Sequence, residues 1–375
     1  MKTWKKLKEN PKLWDRYFVR EKVLRETRNF FLKEGFHEVE TPLLNPALPP
    51  ESYLEVFETE LIFRDKTRRR AFLTASPEMS LKKLLAAGIG DCFEICKSFR
   101  NQEDRSLLHN PEFTMIEWYR VNADYRKVME DVENWIYYLA ANPDIQCHCE
   151  SDVTSDEAIP SGLPRHFVPR NDKLQNSGIL TYKNKTLDLT PPWERISIKE
   201  SFQKYAGLDL DSHFDLEKMK KAAKKKGYKV ENNTWEELFN QIFLNEIEPH
   251  LGNEGKPTII YDYPKDMAAL AKLKKSDPNY AERFEFYLFG IELGDAYTEL
   301  TDWKEQEERF KNEVQLRKKL GKIEFDYDRD FIEALKSGLP DCSGIAVGLD
   351  RLIMILANAD NVADTLFFPA VELFS

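Results

Sequence analysis

Long apolar runs are missing from this 375-residue sequence, and none approaches the roughly 20 residues that a membrane-spanning helix needs. The first 14 residues, MKTWKKLKENPKLW, are basic but lack the apolar core of a signal peptide. Cysteine is scarce, and five cysteines without a signal peptide argue against a disulfide framework. These absences argue against membrane-spanning and secreted classes, so we expect a cytoplasmic protein.

A complete metal-binding cluster is also missing. Cys147, His148 and Cys149 would make half of a site, but no second group of cysteines and histidines follows them. A tetrahedral zinc site needs about four ligands, and three adjacent residues are too close in sequence to close one alone. The sequence therefore does not favour a structural metal, and the role of Cys147 and Cys149 stays open.

Two widespread nucleotide-binding patterns are absent as well. No GxxxxGK[ST] motif occurs, and the regular strand–helix alternation of a Rossmann sheet is missing. The formal net charge of −10 argues against strong nucleic-acid binding by bulk electrostatics. A run of lysines at 220, 221 and 224–226 is typical of the solvated face of a helix. We predict an α+β fold, an antiparallel sheet flanked by helices, in a single domain spanning residues 1–375.

Hydrophobic periodicity predicts where the main elements lie. An amphipathic helix is expected over residues 15–34, with Gly35 ending it. Residues 93–100 and 112–120 predict an antiparallel hairpin joined by a long polar loop, within FRNQEDRSLLHNPEF. FEFYLFGIELG is expected to form one strand, and CSGIAVGLDRLIMILAN a strand that runs into a helix. Residues 142–178, rich in Ser, Asp, Asn and Pro, predict a polar surface insertion.

Two glutamates suggest a magnesium site. Glu292 and Glu299 are seven residues apart, which would put them on opposite faces of an unbroken strand. A turn or bulge at Gly294-Asp295 would bring them together, and two converged carboxylates suit Mg²⁺ that is also bound by substrate phosphates. The alternative is a pair of solvated residues at a sheet edge.

The segment GIAVGLDR suggests a phosphate site. Gly344 and Gly348 would let a backbone pass close to a ligand, although the same spacing also suits close packing. Arg351 lies near the N-terminus of the following helix, where the helix dipole and the guanidinium both favour a phosphate.

Together these segments resemble the signature motifs of class II aminoacyl-tRNA synthetases. VETP is similar to motif 1, the dimer-interface element, FRNQE…HNPEFTMIEWY to motif 2, and GIAVGLDRLIM to motif 3. HNPEFTM-EWY with IEL…ELTD resembles the lysyl branch, over residues 12–141 and 179–369. LTASPEMSLKKLLAAG, AERFEFYLFGIEL and LPDCSGIAVGLDR resemble more narrowly the EpmA (PoxA, GenX) family, whose members are free-standing catalytic domains.

That family attaches (R)-β-lysine or lysine to a lysine of elongation factor P. The resemblance implies activation of lysine or (R)-β-lysine with ATP and Mg²⁺ as the aminoacyl-adenylate, and transfer to a lysine side chain of elongation factor P. It also implies a homodimer. Binding of tRNA is not expected, because only about fifteen residues precede the first helix, too few for an anticodon-reading β-barrel.

The resemblance also assigns roles to individual residues. Arg100 would hold the ATP α-phosphate and the attacking carboxylate, and Arg351 the γ-phosphate. Phe113 would stack on adenine above Gly348, and Glu292 and Glu299 would bind Mg²⁺. Further nucleotide contacts would come from Asn101, Gln102, Glu103, Asn110 and Leu293. The amino-acid pocket would consist of Ser76, Pro77, Glu78, Glu117, Tyr119, Asp295, Glu299 and Ala346, and its acids suit a positively charged substrate.

Three positions bear on specificity. Ala346 corresponds to a position that is usually glycine in lysyl-tRNA synthetases and alanine in EpmA proteins. Gln102 stands where the family often has glutamate, so Glu103 is a second candidate for that role. Asp295 replaces a family asparagine and puts an anion beside the substrate amine, which leaves the amino acid undecided.

Two other functions remain open. One is a lysyl-tRNA synthetase-like enzyme or an amino-acid-activating paralogue that acts on tRNA or a small molecule. The other is a catalytically dead binding module, against which the presence of Arg100, Glu292, Glu299 and Arg351 argues.

Overall fold

A computed structural model describes residues 2–103, 106–143, 145 and 178–375. Nearly all of the predicted surface insertion at 142–178, with Cys147 and Cys149, lies outside these residues. Within the described ranges, no helix combines the length and the apolar character needed to cross a bilayer.

Helices and strands are numbered in chain order. The strands are β1 (His37–Glu38), β2 (Leu44–Asn45), β3 (Glu58–Ile62), β4 (Arg68–Leu73), β5 (Cys92–Phe99), β6 (Glu112–Val121), β7 (Ile179–Tyr182), β8 (Lys185–Asp188), β9 (Glu194–Ser197), β10 (Thr258–Pro264), β11 (Tyr280–Leu288), β12 (Ile291–Thr298) and β13 (Cys342–Gly348). The helices are α1 (Thr3–Glu9), α2 (Trp14–Lys33), α3 (Glu78–Ala86), α4 (Tyr125–Ala140), α5 (Ile198–Ser201), α6 (Leu216–Lys225), α7 (Trp235–Ile242), α8 (Trp303–Lys319), α9 (Arg329–Gly338), α10 (Leu349–Leu356) and α11 (Ala370–Leu373).

The main sheet has the strand order β1-β5-β6-β13-β12-β11-β10-β9. Its six inner strands pair antiparallel, whereas β1 runs parallel to β5 and β9 runs parallel to β10. Two smaller sheets, β2-β4-β3 and β7-β8, lie outside it. The predicted α+β class with an antiparallel sheet is confirmed, with parallel pairing at both edges.

Alternation along the central strands separates a packed face from a site face. On β6, Ile116 and Trp118 join the core formed with α2, α4 and α10, whereas Glu117 and Tyr119 point to the opposite side. Strand β13 follows the same period, with Val347 in that core. Polar side chains of the central strands are therefore collected on the face that α2, α4 and α10 leave uncovered.

Most predicted elements are confirmed. The helix expected at 15–34 is α2, and Gly35 follows it with a φ of +88°, a left-handed conformation that favours glycine. The hairpin around the polar loop is β5–β6, with Phe99 opposite Glu112 at its last pair. CSGIAVGLDRLIMILAN forms β13 and α10, as predicted.

One predicted strand is wrong. FEFYLFGIELG forms parts of two antiparallel strands, β11 and β12, which turn at Phe289 and Gly290, both with positive φ. The alternating pattern continued through the turn, so periodicity gave no sign of it. The predicted irregularity exists but lies earlier: Tyr287 pairs with Glu292 and Phe286 with Gly294, so Leu293 is the extra residue of a bulge.

Candidate active site

A cavity of about 960 Å³ lies on the site face of the sheet. Most of the predicted site residues line it: Ser76, Glu78, Arg100, Glu103, Asn110, Phe113, Glu117, Tyr119, Glu292, Leu293, Asp295, Glu299, Ala346, Gly348 and Arg351. The bulge at Leu293 explains how Glu292 and Glu299 share a cavity, because the extra residue reverses the alternation between them. Pro77 is instead the N-cap residue of α3, and Asn101 and Gln102 are exposed.

Three carboxylates line one end of the cavity, and a buried lysine pairs with two of them. We call this group the acidic end (Glu78, Lys82, Glu117 and Glu299). The carboxylates come from α3, β6 and the end of β12, and these residues are 5%, 2% and 1% exposed. The Lys82 ammonium donates to Glu78 Oε1 at 2.5 Å and forms an ion pair with Glu299. The Tyr297 hydroxyl also donates to Glu78 Oε1, at 2.9 Å. One buried cation is therefore shared between two buried anions.

Glu117 is held by hydroxyls and not by a cation. The Ser76 hydroxyl donates to Glu117 Oε2 and the Tyr119 hydroxyl to Oε1, both at 2.6 Å. The Tyr119 ring lies flat against Gly344, where an added Cβ would come within 2.2 Å of ring atom Cε1. Gly344 thus makes room for Tyr119, which explains that glycine by packing and not by close approach of a ligand.

Burial raises the pKa of two of these carboxyls. It raises the pKa of Glu117 to about 8, with repulsion from Glu78 adding to the effect. It likewise raises the pKa of Glu299 to about 8, although the Lys82 charge acts in the opposite direction. Burial alone would lower the pKa of Lys82, but Glu299 and Glu78 outweigh it and raise it. A cationic ligand would favour the ionised carboxylates, so the acidic end is suited to an ammonium group.

Unpaired polar atoms also point to a ligand here. Within the described part of the chain, Glu299 Oε1 accepts no hydrogen bond and the Gln306 amide nitrogen donates none. Both side chains are about 1% exposed and both line the cavity. Buried polar atoms rarely lack partners, so these two are available to a bound molecule.

Arg283 on β11 is a second cation that two carboxylates share. The Arg283 guanidinium donates to Asp295 Oδ1 at 2.9 Å and to Glu285 Oε1 at 3.0 Å. Burial raises the pKa of Asp295 to about 6, against the opposing charge of Arg283. The aspartate that departs from the family pattern therefore does not face the cavity as an isolated anion, because Arg283 pairs with it.

Ala346 lies between the two acidic groups on the floor of the cavity. It pairs with Glu117 on β6 and with Asp295 on β12. Side chains directly opposite one another on neighbouring strands project from the same face of a sheet. The Ala346 methyl therefore occupies the space between a carboxyl held by hydroxyls and one held by an arginine.

Arginines from motif 2 and motif 3 form the other end of the cavity, the cationic end (Arg100 and Arg351). The Arg100 guanidinium lies 5.4 Å from the centre of the Phe113 ring, and its buried Nε has no partner among the described residues. Arg351 donates to the Glu292 carbonyl at 2.8 Å, and its Nη2 lies 2.7 Å from His109 Nε2. Burial and the Arg351 charge lower the pKa of His109, which favours a neutral ring that accepts this hydrogen bond.

The magnesium prediction can be compared with these positions. Glu292 lies at the cationic end, where its carboxylate is 3.5 Å from Arg351, and Glu299 lies at the acidic end with Lys82. Within the described residues no group of three or more acidic, cysteine or histidine side chains is arranged to hold a metal. The glutamates alone do not form a complete Mg²⁺ site. They suit the common arrangement in which one or two protein carboxylates bind the ion and phosphate oxygens supply further ligands.

Several residues of the site were not predicted from the sequence. Lys82 carried a readable signal, since it lies four residues after Glu78 on one helix, the spacing of an ion pair. Arg283 and His109 lie within the segments AERFEFYLFGIEL and FRNQE…HNPEF, but no spacing connects them to their partners. Gln306 lies on a charged surface helix and gave no signal.

Comparison with known proteins finds relatives that match over nearly the whole chain. The elongation factor P–(R)-β-lysine ligase of Histophilus somni (strain 2336) is 35% identical over 352 residues, 93% of each chain. The ligase of the same description from Salmonella arizonae is 34% identical over 370 residues, 98% of this chain and 97% of that protein. The lysine–tRNA ligase of Pelotomaculum thermopropionicum is 33% identical over 366 residues, 97% of this chain and 65% of that protein.

A family profile also matches nearly the whole chain, over residues 2–372. The matched range includes the segments that form the two ends of the cavity. The chain belongs to the tRNA synthetases class II (D, K and N).

Proposed function

We propose that this protein uses ATP to activate lysine or (R)-β-lysine as the aminoacyl-adenylate and transfers the aminoacyl group to a lysine of elongation factor P. The names of the two ligases that match over more than nine-tenths of their length support this function. The observation that carries it is the cavity itself, with a buried acidic end and a cationic end on one sheet face.

The acidic end supports a diamino acid as the substrate. Glu78, Glu117 and Glu299 supply three negative charges when ionised, and Lys82 supplies one positive charge. The two negative charges that remain match the two ammonium groups of lysine or β-lysine. Glu299 Oε1, buried without a partner, would accept from one of them. The methyl group of Ala346, next to Glu117 and Asp295, would distinguish a β-amino from an α-amino substrate.

The cationic end supports ATP as the second substrate. Arg100 would neutralise the α-phosphate and the attacking carboxylate, because two anions must meet there. Arg351 would hold the γ-phosphate, and Phe113 would stack on adenine. Glu103, Asn110 and Leu293 line the same region and would contact the nucleotide. At Gly348 an added Cβ would find no atom nearer than 3.8 Å, so space is open beside the backbone.

Glu292 would hold Mg²⁺ together with the phosphates of ATP, whereas Glu299, paired with Lys82 at the acidic end, would serve the amino acid. When bound, the ion would offset negative charge as the α-phosphate is attacked. In the transfer step, the neutral ε-amine of the acceptor lysine forms an amide bond with the carbonyl carbon of the adenylate and releases one proton to solvent. The bond between that carbon and the phosphate oxygen breaks, and AMP leaves with the bonding electrons.

A lysyl-tRNA synthetase-like activity is the second candidate. The 33% identity with a lysine–tRNA ligase favours it, since this value is close to that of the protein ligases. Ala346 argues for the protein ligase, because that position is usually glycine in lysyl-tRNA synthetases.

A transfer assay tests the proposal. Purified protein, ATP and Mg²⁺ would be given α-lysine or (R)-β-lysine with elongation factor P or tRNA as the acceptor. We expect a mass gain on elongation factor P of one aminoacyl group, absent when its lysines have been acetylated. Label on tRNA alone would replace the proposal by the synthetase alternative. Absence of amino-acid-dependent pyrophosphate exchange would refute both.

We also propose that the protein is a cytoplasmic homodimer that uses α2 and the VETP segment. Exposed apolar side chains support this interface: Phe18 and Leu32 lie on α2, and Leu43 directly follows VETP. Sedimentation velocity would test it, and a monomer at micromolar concentration would contradict it.

A further inference from the structure

The β3–β4 hairpin carries an unusual local charge. Residues 61–70, LIFRDKTRRR, are exposed at every position. They contain five basic side chains and one acidic one, on a chain whose formal net charge is −10. The three-residue loop 64–66 closes the hairpin, with hydrogen bonds of 2.9 Å between the backbones of Phe63 and Thr67 and of Lys66 and Phe63. The hairpin therefore presents positive charge on a negatively charged protein.

Only part of this charge is neutralised within the protein. Arg68 pairs with Glu60 and Arg70 with Glu58, both at 2.5 Å on one face of the hairpin. Arg64, Lys66 and Arg69 have no carboxylate within ion-pair distance in the portion of the chain that the structure describes. Three cations thus remain free to interact with another molecule.

Apolar side chains accompany these free cations. Leu61, Ile62 and Phe63 are 43%, 55% and 46% exposed. Leu61 lies directly opposite Arg69 on the paired strand, so the two side chains share a face. Surfaces that bind single-stranded nucleic acid combine cations with several aromatic rings on which bases stack, and residues 61–70 contain only one, Phe63. Arginine beside exposed aliphatic side chains is more typical of protein interfaces. The observations therefore favour a protein partner over RNA.

Both ends of the hairpin are attached to the cavity. Leu54, four residues before β3, and Ser76, three residues after β4, line it. The Asn101 amide in the motif 2 loop donates to the Glu55 carbonyl at 3.0 Å, and the Phe57 and Phe99 rings meet edge to face. Strands rise about 3.3 Å per residue, so Lys66 at the tip lies roughly 23 Å along the strand from Leu73. The hairpin is an arm that begins at the cavity wall and projects outward.

We propose that this arm docks an acidic surface of the acceptor protein, next to the lysine that enters the cavity. The inference rests on the proposed function and names the surface that selects its protein partner. The free cations Arg64, Lys66 and Arg69 would attract the acceptor against the repulsion of a chain with net charge −10, and Leu61 and Phe63 would contact it after encounter. The arm acts in transfer and takes no part in amino-acid activation.

A charge-removal variant tests the arm. In the triple variant Arg64→Gln, Lys66→Gln and Arg69→Gln, we expect the KM for elongation factor P to rise roughly tenfold at low ionic strength and the salt dependence of transfer to weaken. Pyrophosphate exchange with lysine should stay within about twofold of the parent. A second variant, Leu61→Ser with Phe63→Ser, should raise the same KM with the salt dependence unchanged.

The lysine run on α6 offers a matched control. Lys221, Lys224 and Lys225 are equally exposed, and α6 contributes no residue to the lining of the cavity. Changing these three to glutamine removes the same charge and should leave the KM for the acceptor unchanged. An equal rise of this KM in both triple variants would refute docking by the arm, because it would show an effect of total charge alone.

Further outcomes separate this inference from the proposed function. Transfer by the parent enzyme tests the function, whereas the ratio of variant to parent tests the arm. An arm variant with a parental KM for elongation factor P would refute the arm alone. Loss of tRNA binding, or a changed oligomeric state, in the arm variant without a changed KM would also refute it and assign the surface to RNA or to a second copy of the chain.

Discussion

Replacing Glu117 with glutamine is expected to stabilise the unliganded protein while it abolishes amino-acid binding. Burial raises the pKa of this carboxyl to about 8 from an ordinary value of 4.5. When the pKa of a carboxyl is higher in the folded than in the unfolded chain, the protein has its full stability below pH 4.5. That stability is lost as the pH rises from 4.5 through 8. At pH 7 the loss is about 3 kcal/mol, because 2.5 pH units at about 1.36 kcal/mol each separate this pH from the unfolded pKa.

Urea unfolding at pH 4.5, 7 and 8.5, followed by tryptophan fluorescence, would measure this effect. Glutamine has the same shape and can still accept one of the two hydroxyl hydrogen bonds that Ser76 and Tyr119 donate. We expect Glu117→Gln to match the parent near pH 4.5 and to exceed it by about 3 kcal/mol at pH 7. Calorimetric titration with lysine should show binding by the parent and none by the variant.

The control is Glu112→Gln, at the exposed end of the same strand. It should change the free energy of unfolding by less than about 1 kcal/mol at pH 7, because its ion pair with Lys97 is exposed to solvent. A stability difference between Glu117→Gln and the parent that is constant from pH 4.5 to 8.5 would refute the reasoning. So would lysine affinity that survives the substitution.

Three further substitutions test other parts of the site. Arg100→Ala should abolish amino-acid-dependent pyrophosphate exchange with an unchanged circular dichroism spectrum, since its buried Nε has no partner within the described chain to lose. Lys82→Met should lower the free energy of unfolding by about 3 kcal/mol in urea titrations, because it leaves Glu78 and Glu299 buried without their shared cation. Ala346→Gly should reduce the preference for (R)-β-lysine over α-lysine by about 1–3 kcal/mol, measured as the ratio of kcat/KM values.

Each of these has a clear contrary result. Exchange near the parental rate in Arg100→Ala would remove that residue from the site. The neighbouring Lys83→Met is the control for Lys82, because Lys83 pairs with Asp328 and Asp330 at the surface and should cost less than about 1 kcal/mol. Equal losses in the two lysine variants would contradict the role of the buried pair. An unchanged ratio in Ala346→Gly would exclude the methyl group from donor selection.

Local signals predicted the elements that carry the site. The long polar loop between two β-prone segments and the glycine-spaced strand before α10 are both present. Each depends on a short stretch of chain whose periodicity or turn residues determine its conformation. A bulge near Glu292 was also predicted, but one or two residues too far along the chain, because Gly294 was the sequence feature that indicated it.

The shared cations were not predicted, for a physical reason. Lys82 meets Glu299 although 217 residues separate them, and Arg283 meets Asp295 only because β11 and β12 turn at Gly290. Ion pairs of this kind depend on which strands become neighbours, and sequence spacing does not contain that information. The turn itself was concealed because alternation of side chains continued across it.

The position of β13 has a consequence for the order in which this protein becomes active. Strands β6 and β12 are neighbours only through β13, which comes from residues 342–348. A nascent chain that has not yet extruded this strand holds two half-sheets with unpaired edges, and Glu117 and Glu299 lie on different halves. Such edges invite aggregation until they are filled. Insertion of this late-synthesised strand therefore both closes the sheet and brings the two ends of the cavity together. We expect a ribosome-bound fragment that ends before residue 342 to lack an assembled cavity and to show no pyrophosphate exchange.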